Sequence, residues 1–250
     1  MVLTKQSVIA TSIDHPDQLD ECQRRSMLDL MIAYYDNVRE DVFQRDLNSK
    51  DWVIRLRCQE TGRLIGFSTQ RLLRQTIDDQ PVRVLFSGDT IVDRKYWNSP
   101  KLAQTWGRFV LRMIDQSQHE PLYWLLLSKG YRTYRFLPLF FHRYSPAVDQ
   151  ATSADLERVR QAFAKRLYGD AFDSTTSVVR AAAIDNYRLH EGVAEITAAR
   201  CQDPHVRLFL KLNPGHLSGD ELCCVAPLER DNFTLAARRV IGREYFAALP

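Results

Sequence analysis

The sequence predicts an α/β domain built on a mixed central sheet, and three observations carry that prediction. Two β-rich runs, Trp52–Cys58 and Leu64–Thr69, flank the turn Glu60-Thr61-Gly62-Arg63 and read as a hairpin. An alternating run Val82–Val92, an amphipathic stretch from Lys101 to Gln116 and a continuous apolar run Leu122–Leu127 then read as strand, helix, strand. That succession requires a right-handed crossover and parallel pairing of its two strands. Finally, 250 residues with 45% hydrophobic and 26% charged content are ordinary globular usage, which sets aside collagen-like, low-complexity and disordered chains.

Taken in order, the chain begins with a predicted helix after Thr11, capped near Asp14 with Pro16 in its first turn. Its apolar face is Leu19, Cys22, Met27, Leu30, Met31 and Tyr34. A second helix or turn covers Val38–Leu47, and the hairpin follows. The turn Asp78-Asp79-Gln80-Pro81 leads into the strand Val82–Val92, in which strict alternation puts Ser87, Asp89 and Ile91 on one face. Asn98-Ser99-Pro100 supplies a cap and a proline for the helix from Lys101, whose face is Leu102, Trp106, Phe109, Val110 and Met113. The uninterrupted apolar run of Leu122–Leu127 marks a strand buried on both faces. An aromatic helix over Tyr131–Phe141 and a helical insertion over 152–190 come next. Val206–Leu212 reads as an alternating strand, Glu221–Leu228 as its hairpin partner and Asp231–Leu249 as a C-terminal helix. One domain is expected over 1–250, with a core at 1–146, the insertion at 152–190, and closing strands and helix at 191–250.

Several functions are excluded by what the chain lacks. Lys and Arg total 34 against 31 Asp and Glu, a net charge of +3, too small for a dedicated nucleic-acid binder. No apolar run approaches the ~20 residues that span a bilayer, and the N-terminus has no secretory signal pattern. Five cysteines without framework spacing read as reduced thiols of a cytoplasmic protein. There is no phosphate loop with Lys-Ser/Thr, no GxGxxG, HExxH or GxSxG, and the six histidines lack paired metal spacing, so no metal is expected.

The informative stretch lies between Pro121 and Ala147, where every charge is positive: Lys129, Arg132, Arg135 and Arg143. Upstream, Arg94, Lys95 and Lys101 surround the helix start at Ser99-Pro100. Basic side chains at helix starts that follow neighbouring parallel strands form an anion site at one sheet edge.

This succession of helix pair, hairpin, strand, helix, strand and helix resembles the GNAT superfamily of N-acyltransferases, over about Met1 to Pro146. The resemblance implies a GNAT-like mixed central sheet flanked by helices, in which Val82–Val92 splays from Leu122–Leu127. It implies that a thioester donor, acyl-CoA or an acyl carrier protein, lies in the resulting slot. Thr90, Ile91 and Val92 would hold the thioester end, and Arg94, Lys95, Ser99, Lys101, Ser128, Lys129 and Arg132 the phosphates. The chain departs from the family at the phosphate loop: Asp93-Arg94-Lys95-Tyr96-Trp97-Asn98-Ser99-Pro100-Lys101 contains no glycine.

Acyl transfer to an amine needs a base, for which Asp89 is the candidate as the only acid within an apolar strand; burial would raise its pKa. Tyr134 resembles the helix tyrosine that many family members use to protonate the leaving thiolate. The expected reaction moves a medium or long acyl chain to a primary amine, such as a lysine or ornithine side chain of a peptide. The alternatives are an acetyltransferase acting on a small amine or protein lysine, and a catalytically silent binding module.

Overall fold

The computed structural model describes residues 8–116, 120–148, 150–181, 187–193 and 195–246. In chain order the elements are β1 (Ile9–Asp14), α1 (Glu21–Ile32), β2 (Tyr35–Asp36), α2 (Glu40–Asn48), β3 (Trp52–Cys58), β4 (Leu64–Ile77) and β5 (Gln80–Val92). There follow α3 (Lys101–Asp115), β6 (Leu122–Ser128), α4 (Tyr131–Tyr134), α5 (Phe136–Phe140), α6 (Ala154–Tyr168), β7 (Phe172–Asp173) and β8 (Val178–Val179). The chain ends with β9 (Arg188–Leu189), α7 (Pro204–Leu212), β10 (Glu221–Pro227) and α8 (Leu235–Ile241).

Eight strands form one sheet in the order β1-β3-β4-β5-β6-β10-β8-β7, and β2 pairs separately with β9. Among the described residues, only β5 and β6 run parallel; every other neighbour in this sheet is antiparallel. α3 is the crossover between β5 and β6, and its buried Trp106, Val110 and Met113 cover one face of the sheet together with Leu85, Trp124 and Leu126. Gly107 on α3 is required by close packing, since a Cβ there would lie 2.4 Å from Ile241 of α8. The opposite face is shared: α1 and α2 put Met27, Met31, Phe43 and Leu47 on Val53, Phe67 and Ile91, while α6 puts Leu156 and Phe163 on Val84, Phe86 and Leu125. Among the described residues, no helix is long and apolar enough to cross a membrane.

Two irregularities in β5 shape the centre of this frame. Its register against β4 passes from Ser68↔Thr90 to Gln70↔Ser87, so β5 advances one residue more than β4 and bulges at Gly88 and Asp89. The bulge breaks the expected alternation. Ser87 faces the α3 layer, where Trp124 Nε1 donates to its hydroxyl, whereas Ile91 packs on the α1 and α2 side. The second irregularity is the parallel ladder, which holds from Arg83↔Leu122 only to Ser87↔Leu126. Both strands continue, but unpaired with each other, while β6 stays paired with β10 out to Ser128↔Leu222. The slot expected between these strands is present.

Other expectations are corrected. The segment through Asp14 is an edge strand, β1, and helix α1 starts later, at Glu21, after the cap Asp20, whose carboxylate accepts from Gln23 N–H. Val206–Leu212 is helix, not strand: Pro204 occupies its first turn, Asp203 caps His205 N–H, and Val206 and Phe209 form its buried stripe. β10 therefore pairs with β6, not with that segment. Among the described residues of 152–190 only Ala154–Tyr168 is α-helical; Phe172–Asp173 and Val178–Val179 instead extend the sheet beyond β10. The aromatic segment from Tyr131 divides into α4 and α5, and the C-terminal helix is confined to Leu235–Ile241 with a short 3-10 turn after it. The end expected at Leu249 lies outside the described residues.

Candidate functional site

Where β5 and β6 part, a cavity of about 550 Å³ opens. Residues from both faces of the sheet line it, so it passes through the sheet at the bulge. From the α3 side come Trp97, Leu102, Trp106, Arg132, Phe136 and Leu139; from the α2 side come Tyr34, Tyr35, Asp46, Lys50, Tyr187 and Glu221. Gly88, Asp89, Thr90, Ile91 and Val92 form the strand edge between them.

The α2 side is a compact polar cluster around Asp89. The Tyr187 hydroxyl donates to Asp89 Oδ1. Lys50 Nζ donates to Asp46 Oδ1 at 2.6 Å, and Lys129 Nζ pairs with Glu221 Oε1 at 2.9 Å while lying 4.4 Å from the centre of the Tyr187 ring. Burial pushes the Asp89 pKa up to about 6, and the Asp46 carboxylate adds to the rise. The Tyr187 hydroxyl and the ammonium groups of Lys129 and Lys50 pull the other way. Burial, with the Asp89 charge next to it, raises Tyr187 well above the ordinary phenol range, so that hydroxyl stays protonated and remains a donor. Gly88 is needed here because a Cβ would come within 2.7 Å of Thr69 Oγ1 and 2.9 Å of Lys50 Cε.

Beneath the slot a polar chain, buried at Ser68, Gln70 and Ser87, ties the strands together. Ser87 Oγ donates to Gln70 Oε1, Gln70 Nε2 donates to Ser68 Oγ, and Ser68 and Thr90 share a hydroxyl–hydroxyl bond of 2.7 Å. Trp106 and Trp124 donate their indole N–H groups to Gln70 and Ser87. Satisfied buried networks of this kind are rigid, which fixes the floor on which Asp89 stands.

The α3 side has a different chemistry. The rings and alkyl groups of Trp106, Leu102, Phe136 and Leu139 line an apolar wall. At its rim the Arg132 guanidinium stacks 4.5 Å and that of Arg94 5.6 Å from the Trp97 ring. Arg94, Lys95, Lys101 and Arg132 are all exposed, and none pairs with a carboxylate among the described residues.

The structure thus brings Asp89, Thr90, Ile91, Val92, Ser99 and Arg132 to one cavity, with Arg94, Lys95 and Lys101 on the chain around its rim. Two residues named from sequence lie outside the cavity, and a third lies at its other mouth. Tyr134 does not line the cavity: it is fully buried against Phe209 and its hydroxyl donates to Pro146 O at 2.9 Å. Ser128 is buried, with its hydroxyl on Gly130 O. Lys129 lines the cavity on the Asp89 side, away from the Arg94–Arg132 rim. Sequence reading does not identify Tyr187, Asp46, Lys50, Tyr34 or Glu221, which reach the site from α2, β10 and the segments after α1, after α2 and before β9.

Comparison with protein-family models gives no match, and no curated protein matches the sequence. Solved structures do resemble it. A conserved protein of Enterococcus faecalis V583, described as a probable N-acyltransferase, aligns with a TM-score of 0.41 at 10% identity over 55% of this chain and 33% of its own. Ribosomal-protein-alanine N-acetyltransferase of Brucella melitensis biovar Abortus 2308 aligns with a TM-score of 0.42 at 10% identity over 59% and 98%. Saccharomyces cerevisiae N-myristoyltransferase with bound myristoyl-CoA aligns with a TM-score of 0.39 at 12% identity over 60% and 38%. The chain spans about a third of the length of the Enterococcus protein.

Proposed function

We propose that the protein is an N-acyltransferase that moves an acyl group from a phosphopantetheine thioester to a primary amine. The observation that carries this reading is the slot through the sheet at the β5 bulge, with a carboxyl of raised pKa at its centre. A thioester inserted from the α3 side lies against the unpaired edge of β5, where backbone groups facing β6 have no ladder partner. An amine entering from the α2 side meets Asp89. Its nitrogen attacks the carbonyl carbon and the new C–N bond replaces the C–S bond. The nitrogen's proton passes to the Asp89 carboxylate, and the sulfur leaves as thiolate. A pKa of about 6 suits a general base, because at neutral pH the carboxyl is ionised yet more basic than an ordinary aspartate.

The apolar α3 wall supports a medium or long acyl chain, since each buried methylene contributes about 0.8 kcal/mol. The tyrosines and carboxylates of the α2 side support an acceptor that arrives as its ammonium, such as a lysine or ornithine side chain of a peptide, and gives one proton to solvent before the attack that passes the second to Asp89.

The reaction is tested by acyl transfer to lysine- and ornithine-containing peptides, followed by mass spectrometry, with acetyl, decanoyl and palmitoyl thioesters as donors. We expect a product mass raised by one acyl group, faster with decanoyl than with acetyl, and a melting temperature that climbs with chain length. A preference for acetyl would remove the chain-length reading. No turnover with any donor would remove the reaction.

A further inference from the structure

Resting on the acyl-transfer reading, we propose that the donor thioester is delivered by an acidic carrier protein bearing phosphopantetheine, docked on the α3-side rim, and not by free coenzyme A. A coenzyme's pyrophosphate is held by a run of free backbone N–H groups. In the turn between β5 and α3 most of those groups are already engaged. Arg94 N–H donates to the Tyr34 hydroxyl at 2.6 Å, Lys95 N–H to Asp93 Oδ1 at 3.1 Å, and Lys101 N–H to Ser99 Oγ at 3.3 Å. Tyr96, Trp97 and Ser99 donate to the carbonyls of Asp93, Arg94 and Tyr96. Most N–H groups of the glycine-free stretch 93–101 are thus closed by a local side chain or carbonyl, which makes the turn a poorer pyrophosphate cradle than a loop of free N–H groups.

What remains for anions is mainly side-chain charge. Arg94, Lys95, Lys101 and Arg132 are exposed and without carboxylate partners among the described residues, and Arg94 and Arg132 flank the Trp97 ring at the mouth. Such an array of solvated cations suits the carboxylates of an acidic protein face. Beside it lies exposed apolar surface. Leu139 is 48% and Leu235 69% exposed, and the two are tied together by Thr234 Oγ1 donating to Leu139 O at 2.6 Å. Leu139 and Phe136 also line the cavity, so the apolar patch runs from the outer surface into the slot. A basic ring beside an apolar patch at the tunnel mouth matches a partner with an acidic helix and an apolar centre from which the prosthetic arm projects.

The experiment compares one acyl group on three donors: an acidic acyl carrier protein, coenzyme A and pantetheine alone. It adds the anisotropy of a fluorescent holo-carrier protein titrated with the enzyme. We expect kcat/KM with the carrier to exceed that with coenzyme A at least ~10-fold at low salt, and the advantage to shrink as salt rises. In Lys95→Glu/Lys101→Glu, the ratio of carrier-donor to pantetheine-donor rates should fall about tenfold and carrier affinity should fall with it. Equal or better turnover of the coenzyme A donor, or a ratio unmoved by the double variant, overturns the carrier proposal while acyl transfer stands. If pantetheine and both other donors are inert, acyl transfer itself fails. The anisotropy then decides the docking surface alone: affinity lost in the double variant supports it, and absent binding overturns it.

Discussion

The two mouths of the slot handle charge in opposite ways. On the α2 side each lysine is paired, Lys50 with Asp46 and Lys129 with Glu221, and Asp89 is held by Tyr187. On the α3 side Arg94, Lys95, Lys101 and Arg132 stand exposed without carboxylate partners among the described residues. Burial explains the difference. An unpaired charge in the cluster around Asp89 would cost several kcal/mol, on the order of that for any desolvated ion, whereas an exposed one is solvated by water. The first arrangement fixes dipoles around a reacting group; the second acts at a distance, over a Debye length of roughly 8–10 Å. Substitutions on the α2 side should therefore act on kcat with little salt dependence, and those at the α3 rim on kcat/KM with strong salt dependence.

The sharpest way to break that contrast is Asp89→Asn. We expect kcat to fall by about 100- to 10,000-fold, because an amide takes no proton. In the wild type kcat should rise with pH through about 6, the pKa of Asp89, and the variant should lack that limb. Stability moves the other way. The folded pKa of about 6 lies above the ordinary carboxyl value of 3.8, so the folded state holds this proton more tightly than the unfolded chain does. Its favourable contribution is complete below the unfolded value and is lost as pH rises through about 6. At neutral pH Asp89→Asn, which has no charge to desolvate, should melt higher than the wild type. A variant that keeps wild-type kcat would show that the cluster does no proton transfer.

Gly88→Ala tests the bulge. The new methyl meets Thr69 Oγ1 and the Lys50 chain, so one of them must move, and the expected loss of stability is about 1–3 kcal/mol by thermal melting. A smaller effect is expected of Tyr187→Phe. Its hydroxyl stabilises the Asp89 carboxylate, so removing it raises the Asp89 pKa and moves the rising limb of the pH–rate profile upward. At neutral pH kcat should drop by roughly tenfold. An unshifted profile would separate Tyr187 from the base.

Residues near one another in sequence are legible, and those joined by the fold are not. The hairpin, the β5–α3–β6 crossover and Asp89 on β5 can be read because pattern, turn and function lie on one stretch. β1 escapes because its only ladder partner is β3, about forty residues away, and half its residues are polar. Val206–Leu212 reads wrongly as strand because seven residues in which apolar and basic types mix satisfy both periods; the Asp203-Pro204 cap is the signal that decides it. The bulge cannot be read from β5 alone, since it is a mismatch of register with β4. Tyr187 sits 98 residues from Asp89 and no motif links them.

Tyr134 is the finest test of where the chemistry lies. Its place on a helix after β6 resembles that of a proton donor, but its hydroxyl is already committed to the Pro146 carbonyl at 2.9 Å in a fully buried setting against Phe209. Burial lifts its pKa well above the ordinary phenol range, which makes it a poor acid but leaves it an intact hydrogen-bond donor. Tyr134→Phe keeps the ring packing and strands one carbonyl, at a cost of about 1 kcal/mol. We therefore expect a slightly lower melting temperature and a kcat within about twofold of wild type, against the roughly tenfold drop expected of Tyr187→Phe. A large fall in kcat at an unchanged melting temperature would reverse the assignment and move the proton-bearing tyrosine from the α2 side of the slot to α4.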